Sequence, residues 1–158
     1  MYRARGFTLL ETLVVVALIA IIAGSVVLSA GGGTARELQT HAQRLRVVAE
    51  LVCDKATIEA GFFGLGFAQR AYSGFRFGNN GWEPVRDSGP LVAHALPEGY
   101  SLRRGEAPLE RDLPGEPQWI CSPAGDSAPL DVIVASADGE WRIGIDEQGR
   151  WQTAAVSR

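Results

Sequence analysis

The chain has few of the residues that build metal and redox sites. Among its 158 residues it has two cysteines, Cys53 and Cys121, and two histidines, His41 and His94. The cysteines are far apart and form no Cys-x-x-Cys pair, so the sequence predicts no metal site, and it predicts no cofactor either. Two interpretations of the cysteines stay open: a disulfide in an oxidising compartment, or two small buried apolar side chains.

An excess of basic charge is also missing. The chain carries 15 Lys and Arg residues against 18 Asp and Glu residues, which gives a net charge of −3. Without residues 1–6, which include Arg3 and Arg5, the net charge would be −5. Proteins that coat nucleic acid need a strongly basic surface, so this balance argues against nucleic acid as a partner.

The sequence contains no recognisable catalytic motif. The glycines of residues 61–67 lack the GxGxxG spacing and the strand-then-helix context of a dinucleotide-binding loop. Ser122, Asp126 and Ser127 do not form the nucleophile elbow of a serine hydrolase. We therefore predict a structural or interaction protein and not an enzyme.

A long hydrophobic run lies close to the N-terminus. Residues 7–28 are nearly all apolar, and about 20 such residues suffice for a helix to cross a bilayer. Arg3 and Arg5 precede the run, which favours a cytoplasmic N-terminus with the bulk of the chain on the far side of the membrane. Glu11 is the one acid in the run; such a charge costs about 2–3 kcal/mol on insertion scales, so we expect it to have a function. A secretory signal peptide, the alternative class of apolar N-terminus, has no use for this acid.

A second helix is predicted for residues 34–60. The three glycines at 31–33 precede it and predict a flexible joint at the membrane exit. Thr34 and Glu37 have the spacing of a capping box. Apolar residues then recur at alternating steps of four and three, which predicts an amphipathic helix with one apolar stripe. The stripe consists of Leu38, Ala42, Leu45, Ala49, Val52 and Ala56.

Beyond residue 60 the pattern becomes that of β-strands. Alternating apolar residues, separated by turns that contain glycine and proline, predict an antiparallel sheet within residues 61–158. Strands are predicted at residues 63–67, 72–77, 82–85, 100–103, 118–121, 130–135, 141–145 and 150–153. Residues 104–117 contain three prolines and predict an exposed loop. The predicted fold class is therefore α+β, with a long N-terminal helix packed on an antiparallel β-sheet domain.

Several conspicuous side chains are expected to have structural roles. His41 lies off the helix stripe and His94 lies in a predicted loop, so both are expected at the surface. Arg103, Arg104 and Arg111 are assigned to a solvated loop of mixed charge. The four tryptophans lie in strand regions, where core packing is expected and an exposed ring would mark a subunit contact.

Residues 5–11, Arg-Gly-Phe-Thr-Leu-Leu-Glu, resemble the processing motif of type IV prepilins and type II secretion pseudopilins. The resemblance implies that a membrane aspartic peptidase cleaves the chain after Gly6 and methylates the new N-terminal amine of Phe7. It also implies that Glu11, the fifth residue of the mature chain, acts in subunit assembly, with the amine of a neighbouring Phe7 as its expected partner. The chain then divides into a leader (1–6), a transmembrane helix (7–30), the amphipathic helix (34–60) and a periplasmic β-rich domain (61–158).

The second half of the chain narrows this resemblance. Segments 71–77, 81–84, 96–102 and 121–130 look like parts of the H-type minor pseudopilins of type II secretion and of the FimT-like minor pilins. Membership of this group implies a pilin-like fold and a single-pass protein of the bacterial inner membrane with its C-terminal domain in the periplasm. The implied partners are other major and minor pseudopilins, the prepilin peptidase and the inner-membrane assembly platform.

Three functions follow as alternatives. The leading one is a minor pseudopilin, a structural subunit of the periplasmic pseudopilus that helps to export folded proteins across the outer membrane. The second is a FimT-like minor pilin that contacts DNA during uptake, which requires a basic patch that the acidic balance does not favour. The third is a membrane-anchored enzyme, which predicts an unprocessed N-terminus and an activity that survives the loss of Glu11.

Overall fold

The computed structural model describes residues 10–19, 33–86, 89–105 and 107–156. The chain divides into two compact units, residues 1–36 and residues 37–158. Residues 10–19 of the first unit form a helical segment, α1. The second helix, α2, extends over Gly33–Ile58, and all but its first four residues belong to the second unit.

The helix α2 buries the apolar stripe that its periodicity predicts. The six predicted stripe residues are at most 2% exposed, and Val48 beside them is 1% exposed. Charged side chains lie off the stripe, where Arg46 and Glu50 form an ion pair at 2.7 Å. The observed bounds differ slightly from the predicted 34–60. Gly33, which we expected in a flexible joint, is the first residue of α2, and Thr34 lies inside the first turn and not at the cap.

A left-handed residue ends α2. Ala60 has a φ of 48°. The amide of Gly61 donates to the carbonyl of Ala56 at 3.0 Å, and the amide of Ala60 donates to the carbonyl of Thr57 at 3.4 Å. These two bonds form a Schellman motif, which satisfies carbonyls of the last turn and directs the chain into the first strand.

Within the described residues, nine strands build two antiparallel sheets. The strands are β1 Phe63–Ala68, β2 Ala71–Gly78, β3 Gly81–Pro84, β4 His94–Ala95, β5 Ser101–Arg104, β6 Trp119–Cys121, β7 Leu130–Ser136, β8 Gly139–Ile145 and β9 Trp151–Ala155. The first sheet has the order β3-β2-β1-β6, with β4 beside β2, and the second has the order β5-β7-β8-β9. All eight predicted strands are present. The expectation of one sheet is wrong, and so is the loop predicted at His94, because His94 pairs with Tyr72 of β2.

Both faces of β1 are buried. Its Phe63 and Leu65 side chains belong to the same core cluster as the α2 stripe. On the other face, a side chain at Gly66 would come within 2.7 Å of the Phe75 ring and 3.0 Å of Pro114, so this close approach requires glycine. The predicted exposed loop at 104–117 is therefore partly wrong, because part of it covers the outer face of β1.

One hydrophobic core holds α2 and the two sheets together. The α2 stripe, the inner residues of β1 and the inward apolar residues of β7 and β8 form a single cluster of buried side chains; those of β7 and β8 are Leu130, Val132, Val134 and Ile143. Trp119 of β6 is 1% exposed within it, and its indole nitrogen donates to the carbonyl of Ala128 at 2.8 Å. The sheets are also joined directly, since the amide of Leu102 in β5 donates to the carbonyl of Gln69 in the β1–β2 turn at 2.7 Å.

Candidate assembly surfaces

The segment α1 exposes apolar side chains on all its sides. Seven large apolar residues are between 45% and 74% exposed: Leu10, Leu13, Val14, Val15, Val16, Leu18 and Ile19. Glu11 is the one ionisable residue of the segment, and it is exposed as well. A helix that is apolar all round is stable inside a membrane or inside a protein assembly. Most residues of α1 therefore suit burial by lipid or by other subunits, and Glu11 is the one charged residue among them.

The predicted processing residues, Gly6 and Phe7, lie outside the described residues. Cleavage after Gly6 and methylation of Phe7 therefore stay predictions. Of the predicted transmembrane helix, residues 7–30, the structure describes only residues 10–19. Among all the residues that the structure describes, no helix combines the length and the hydropathy needed to cross a membrane.

A disulfide joins α2 to the first sheet. Cys53 in α2 and Cys121 in β6 are bonded, with their Cα atoms 5.1 Å apart, a usual separation for a disulfide. Cys121 is fully buried and Cys53 is half-buried. The sequence left two interpretations of the cysteines open, and the structure confirms the disulfide. The bond links positions 68 residues apart and fastens the last turns of the helix to an edge of the sheet.

An apolar patch lies on the outer face of the first sheet. Phe62 is 46% exposed, Phe77 is 52% exposed and Ile120 is 38% exposed. The Trp82 ring, which is half-buried, packs edge-on against Phe77 at 5.2 Å. Phe77 pairs with Trp82 across the strands and donates its amide to the Phe62 carbonyl, so these rings share one face. We call the three rings of Phe62, Phe77 and Trp82 the outer aromatic patch, and a patch of this kind marks an interaction surface.

Sequence reasoning did not find this patch. We expected most tryptophans in the core, which is confirmed for Trp119, and a subunit contact only for an exposed ring, whereas Trp82 is half-buried. The alternation in β2 places Phe75 and Phe77 on one face. The loop at Pro114 covers Phe75, which is 3% exposed, and leaves Phe77 open. Which ring is covered depends on a segment that is distant in sequence.

The basic residues that we assigned to a loop are distributed differently. Arg103 and Arg104 lie in β5, and Arg103 donates to Glu140 of β8 at 2.6 Å. Five ion pairs of this kind are present among the described residues. Exposed pairs contribute under about 1 kcal/mol each, so they orient side chains more than they stabilise the domain. They also neutralise five of the cations that a nucleic-acid surface would need.

His94 packs against α2 and Tyr72. Its ring lies 5.3 Å from the ring of Tyr72, and its Nε2 is buried without a hydrogen-bond partner among the described residues. Burial lowers the pKa of His94, and the charges of Arg44 and His41 on α2 lower this pKa further. Burial also raises the pKa of the Tyr72 hydroxyl, which the Arg44 guanidinium partly opposes. A proton added to His94 would therefore face a cation in a partly desolvated contact.

An open groove of 520 Å³ lies between the end of α2 and β3. Lys55, Arg76 and Arg86 line it together with Glu59 and Glu83. Its walls are charged with both signs, whereas small-molecule sites are concave and mostly apolar. Over the same described residues, no three His, Cys, Asp or Glu side chains lie close enough together to hold a metal ion.

Known sequences resemble this chain along nearly its whole length. Residues 1–27 match the prokaryotic N-terminal methylation motif. The chain is 35% identical to type II secretion system protein H of Pseudomonas aeruginosa over 161 residues, which cover 94% of this chain and 87% of that protein. It is 29% identical to the protein of the same name from Escherichia coli K12, with 96% of this chain and 93% of that protein covered.

Two solved structures share the fold. The minor pseudopilin EpsH from the type 2 secretion system of Vibrio cholerae matches with a TM-score of 0.65 at 19% identity, covering 77% of this chain and 99% of that chain. The solution structure of GspH from Escherichia coli matches with a TM-score of 0.58 at 22% identity, covering 77% of this chain and 87% of that chain. The predicted α+β, pilin-like fold is confirmed.

Proposed function

The chain belongs to the type II secretion system protein H family, and from this premise we propose that it is cleaved after Gly6, methylated on Phe7 and assembled through Glu11. Members of this family are minor pseudopilins. The chain is accordingly a structural subunit of the periplasmic pseudopilus, which helps to export folded proteins across the outer membrane. Its relatives favour this function over the FimT-like alternative.

We propose an inner-membrane anchor followed by a periplasmic domain. The apolar run from residue 7 to residue 28 and the two arginines before it support this orientation. The exposed apolar side chains of α1 suit a lipid environment before assembly and subunit packing afterwards. The Cys53–Cys121 disulfide agrees with an oxidising compartment such as the periplasm.

The proposed partners are other major and minor pseudopilins, the prepilin peptidase and the inner-membrane assembly platform. Glu11 is expensive to bury unless a cation meets it, and the amine of Phe7 on a neighbouring subunit supplies one. Such a pair fixes the register between adjacent helices. The outer aromatic patch offers a second contact, made by the folded domain.

We propose that the chain catalyses no reaction. The features that carry its assignment, the methylation motif and an apolar helix with one acid, serve processing and packing. The peptidase that cleaves and methylates the chain supplies the chemistry, and this chain is its substrate.

The observation that carries the proposal is the 35% identity to the Pseudomonas aeruginosa protein over 94% of the chain. Mass spectrometry of the full chain isolated from its native membranes tests it. We expect an N-terminus at methylated Phe7 and co-isolation with other pseudopilins. A matched Gly6→Val variant, in which the cleavage site is blocked by a bulky side chain, should keep Met1 and stay out of the pseudopilus. An intact Met1 in the unaltered protein would refute the proposal.

A further inference from the structure

The last strand, β9, has one edge that no described strand covers. It pairs with β8 on its inner side, where Arg142 lies opposite Ala154. The amide of Val156 donates to the carbonyl of Glu140 at 2.9 Å. In an antiparallel pair every second residue makes such bonds, so positions 152, 154 and 156 point their backbone groups to β8. Trp151, Thr153 and Ala155 therefore direct their amides and carbonyls outward.

The other long edges of the two sheets are covered or blocked. The edge of β6 meets the segment that follows it, since Cys121 bridges Ser127 and the amide of Ser122 donates to the carbonyl of Asp126. The edge of β5 is covered by the β1–β2 turn, since the amide of Leu102 donates to the carbonyl of Gln69. The edge strand β3 has four residues and includes Glu83 and Pro84, and charge and proline both discourage strand addition.

Within the part of the chain that the structure describes, the strand β9 has none of these protections. Its sequence, Trp-Gln-Thr-Ala-Ala over Trp151–Ala155, contains no charged residue and no proline. A free strand edge of this composition pairs readily with another extended chain, and folded proteins normally prevent this. An edge that is open in the subunit therefore suits a contact that is made on assembly.

We propose that the outer edge of β9 receives an extended strand from an adjacent, different pseudopilin subunit in the assembled pseudopilus. Three outward amides and three outward carbonyls alternate at the spacing of a strand, which an extended backbone matches. Pairing of two β9 strands from two copies of this chain would give a closed dimer, whereas a filament needs contacts between unlike surfaces, so the partner strand is not a second β9. The proposed partners, other major and minor pseudopilins, supply the different subunit. This inference rests on the proposed function, because the partner strand belongs to a neighbouring subunit.

Hydrogen exchange of single amides tests the inference on the unaltered protein. The full chain is compared in detergent micelles and in the isolated pseudopilus. We expect the amides of Trp151, Thr153 and Ala155 to exchange at least about tenfold more slowly in the pseudopilus. The amides at 152, 154 and 156 are already bonded to β8, so they serve as internal controls and are slow in both states.

A pair of variants at one position supplies the second test. Thr153→Pro removes an outward amide and no bond to β8, and an edge strand tolerates proline at such a position. We expect the full-length variant to keep its thermal unfolding midpoint and to be recovered in the pseudopilus about tenfold less than the wild type. Thr153→Val keeps the amide and should be recovered normally.

Each outcome decides between the two proposals. Equal exchange of the outward amides in both states, in a protein that is present in the pseudopilus, would overturn the inference alone. Slow exchange of these amides already in micelles would also overturn it, because the edge would then be covered before assembly or paired with a second copy. Absence of the wild-type chain from the pseudopilus would overturn the proposed function itself.

Discussion

Ala60 occupies the left-handed position that ends α2, with a φ of 48°. A side chain in this conformation costs about 1–2 kcal/mol, because Cβ approaches the backbone, and glycine avoids that contact. We therefore expect Ala60→Gly to raise the free energy of unfolding by about 0.5–1 kcal/mol, after allowance for the greater entropy of an unfolded glycine. Chemical unfolding of the full chain in detergent measures the difference.

The same substitution one turn earlier is a matched control. Ala56 lies inside α2 and is fully buried. Ala56→Gly should lower the free energy of unfolding by about 2 kcal/mol, because glycine is unfavourable in a helix interior and a buried methyl group is lost from the core. If Ala60→Gly also lowered it, the left-handed strain would not be the dominant effect at the end of α2.

Glu11 is the residue on which the assembly mechanism depends. Glu11→Gln keeps the shape of the side chain and removes its charge, so the amine of a neighbouring Phe7 would lose its partner. We expect the variant to be cleaved and methylated, and to be recovered in the pseudopilus at least about tenfold less than the wild type. Mass spectrometry of the N-terminus and quantitation of the pseudopilus fraction measure the two effects separately. Val15→Ala, which keeps Glu11 and an apolar side chain in the same segment, should be recovered much better than Glu11→Gln; normal assembly of Glu11→Gln would exclude the charge pair.

At the scale of elements, substitutions at two adjacent valines show how much the buried face of α2 contributes to the free energy of unfolding. Val48 is 1% exposed and Val47 is 58% exposed. Val48→Ala should lower the free energy of unfolding by about 2 kcal/mol, because it removes two methyl groups from the packed core. Val47→Ala should change it by less than about 0.5 kcal/mol. Similar losses for the two variants would mean that burial in the α2 stripe does not account for the change, because alanine has a higher helix propensity than valine at both positions.

The contact of β4 with α2 makes stability depend on pH. Burial depresses the pKa of His94 from its ordinary 6.5, and Arg44 and His41 depress it further. The unfolded chain therefore binds a proton at a higher pH than the folded chain. Stability is fully present above pH 6.5 and is lost as the pH falls toward the depressed pKa.

We accordingly expect the wild type to be less stable at about pH 5.5 than at about pH 7.5, and His94→Gln to lose part of this difference. The groups that face His94 are Arg44 and His41 from α2 and Tyr72 from β2. Chemical unfolding at the two pH values measures the change. An unaltered pH dependence in His94→Gln would assign the effect to other groups.

At the scale of the whole molecule, the disulfide holds distant parts of the chain together. Cys53 and Cys121 are separated by 68 positions. Closing a loop of this length in the unfolded chain corresponds to about 4 kcal/mol of stabilisation in the loop-entropy account. We expect the double variant Cys53→Ala, Cys121→Ala to unfold at a lower temperature than the wild type in detergent.

Reduction of the wild type is the independent check. A thiol reductant should lower the unfolding temperature of the wild type by a similar amount and leave the double variant unchanged. A wild type that is insensitive to reductant after full reduction of both thiols would mean that packing, and not the covalent link, joins α2 to β6.

The sequence by itself determined the features that are local in the chain. The four-and-three spacing of α2 fixes one buried stripe, because a helix returns to the same face every 3.6 residues. The eight predicted strands follow from alternation and from turn residues within short windows. The processing motif likewise lies within seven consecutive residues, and its match is independent of the fold.

Only the tertiary structure decided which surfaces are covered. The division into two sheets, the pairing of His94 with Tyr72 and the Pro114 loop over Gly66 each join segments that are well separated in sequence. The same holds for the open face at Phe77 and the open edge of β9. A local pattern gives the period of an element, whereas burial depends on what another segment places against it. The strands were therefore predictable, and the surfaces available for assembly were not.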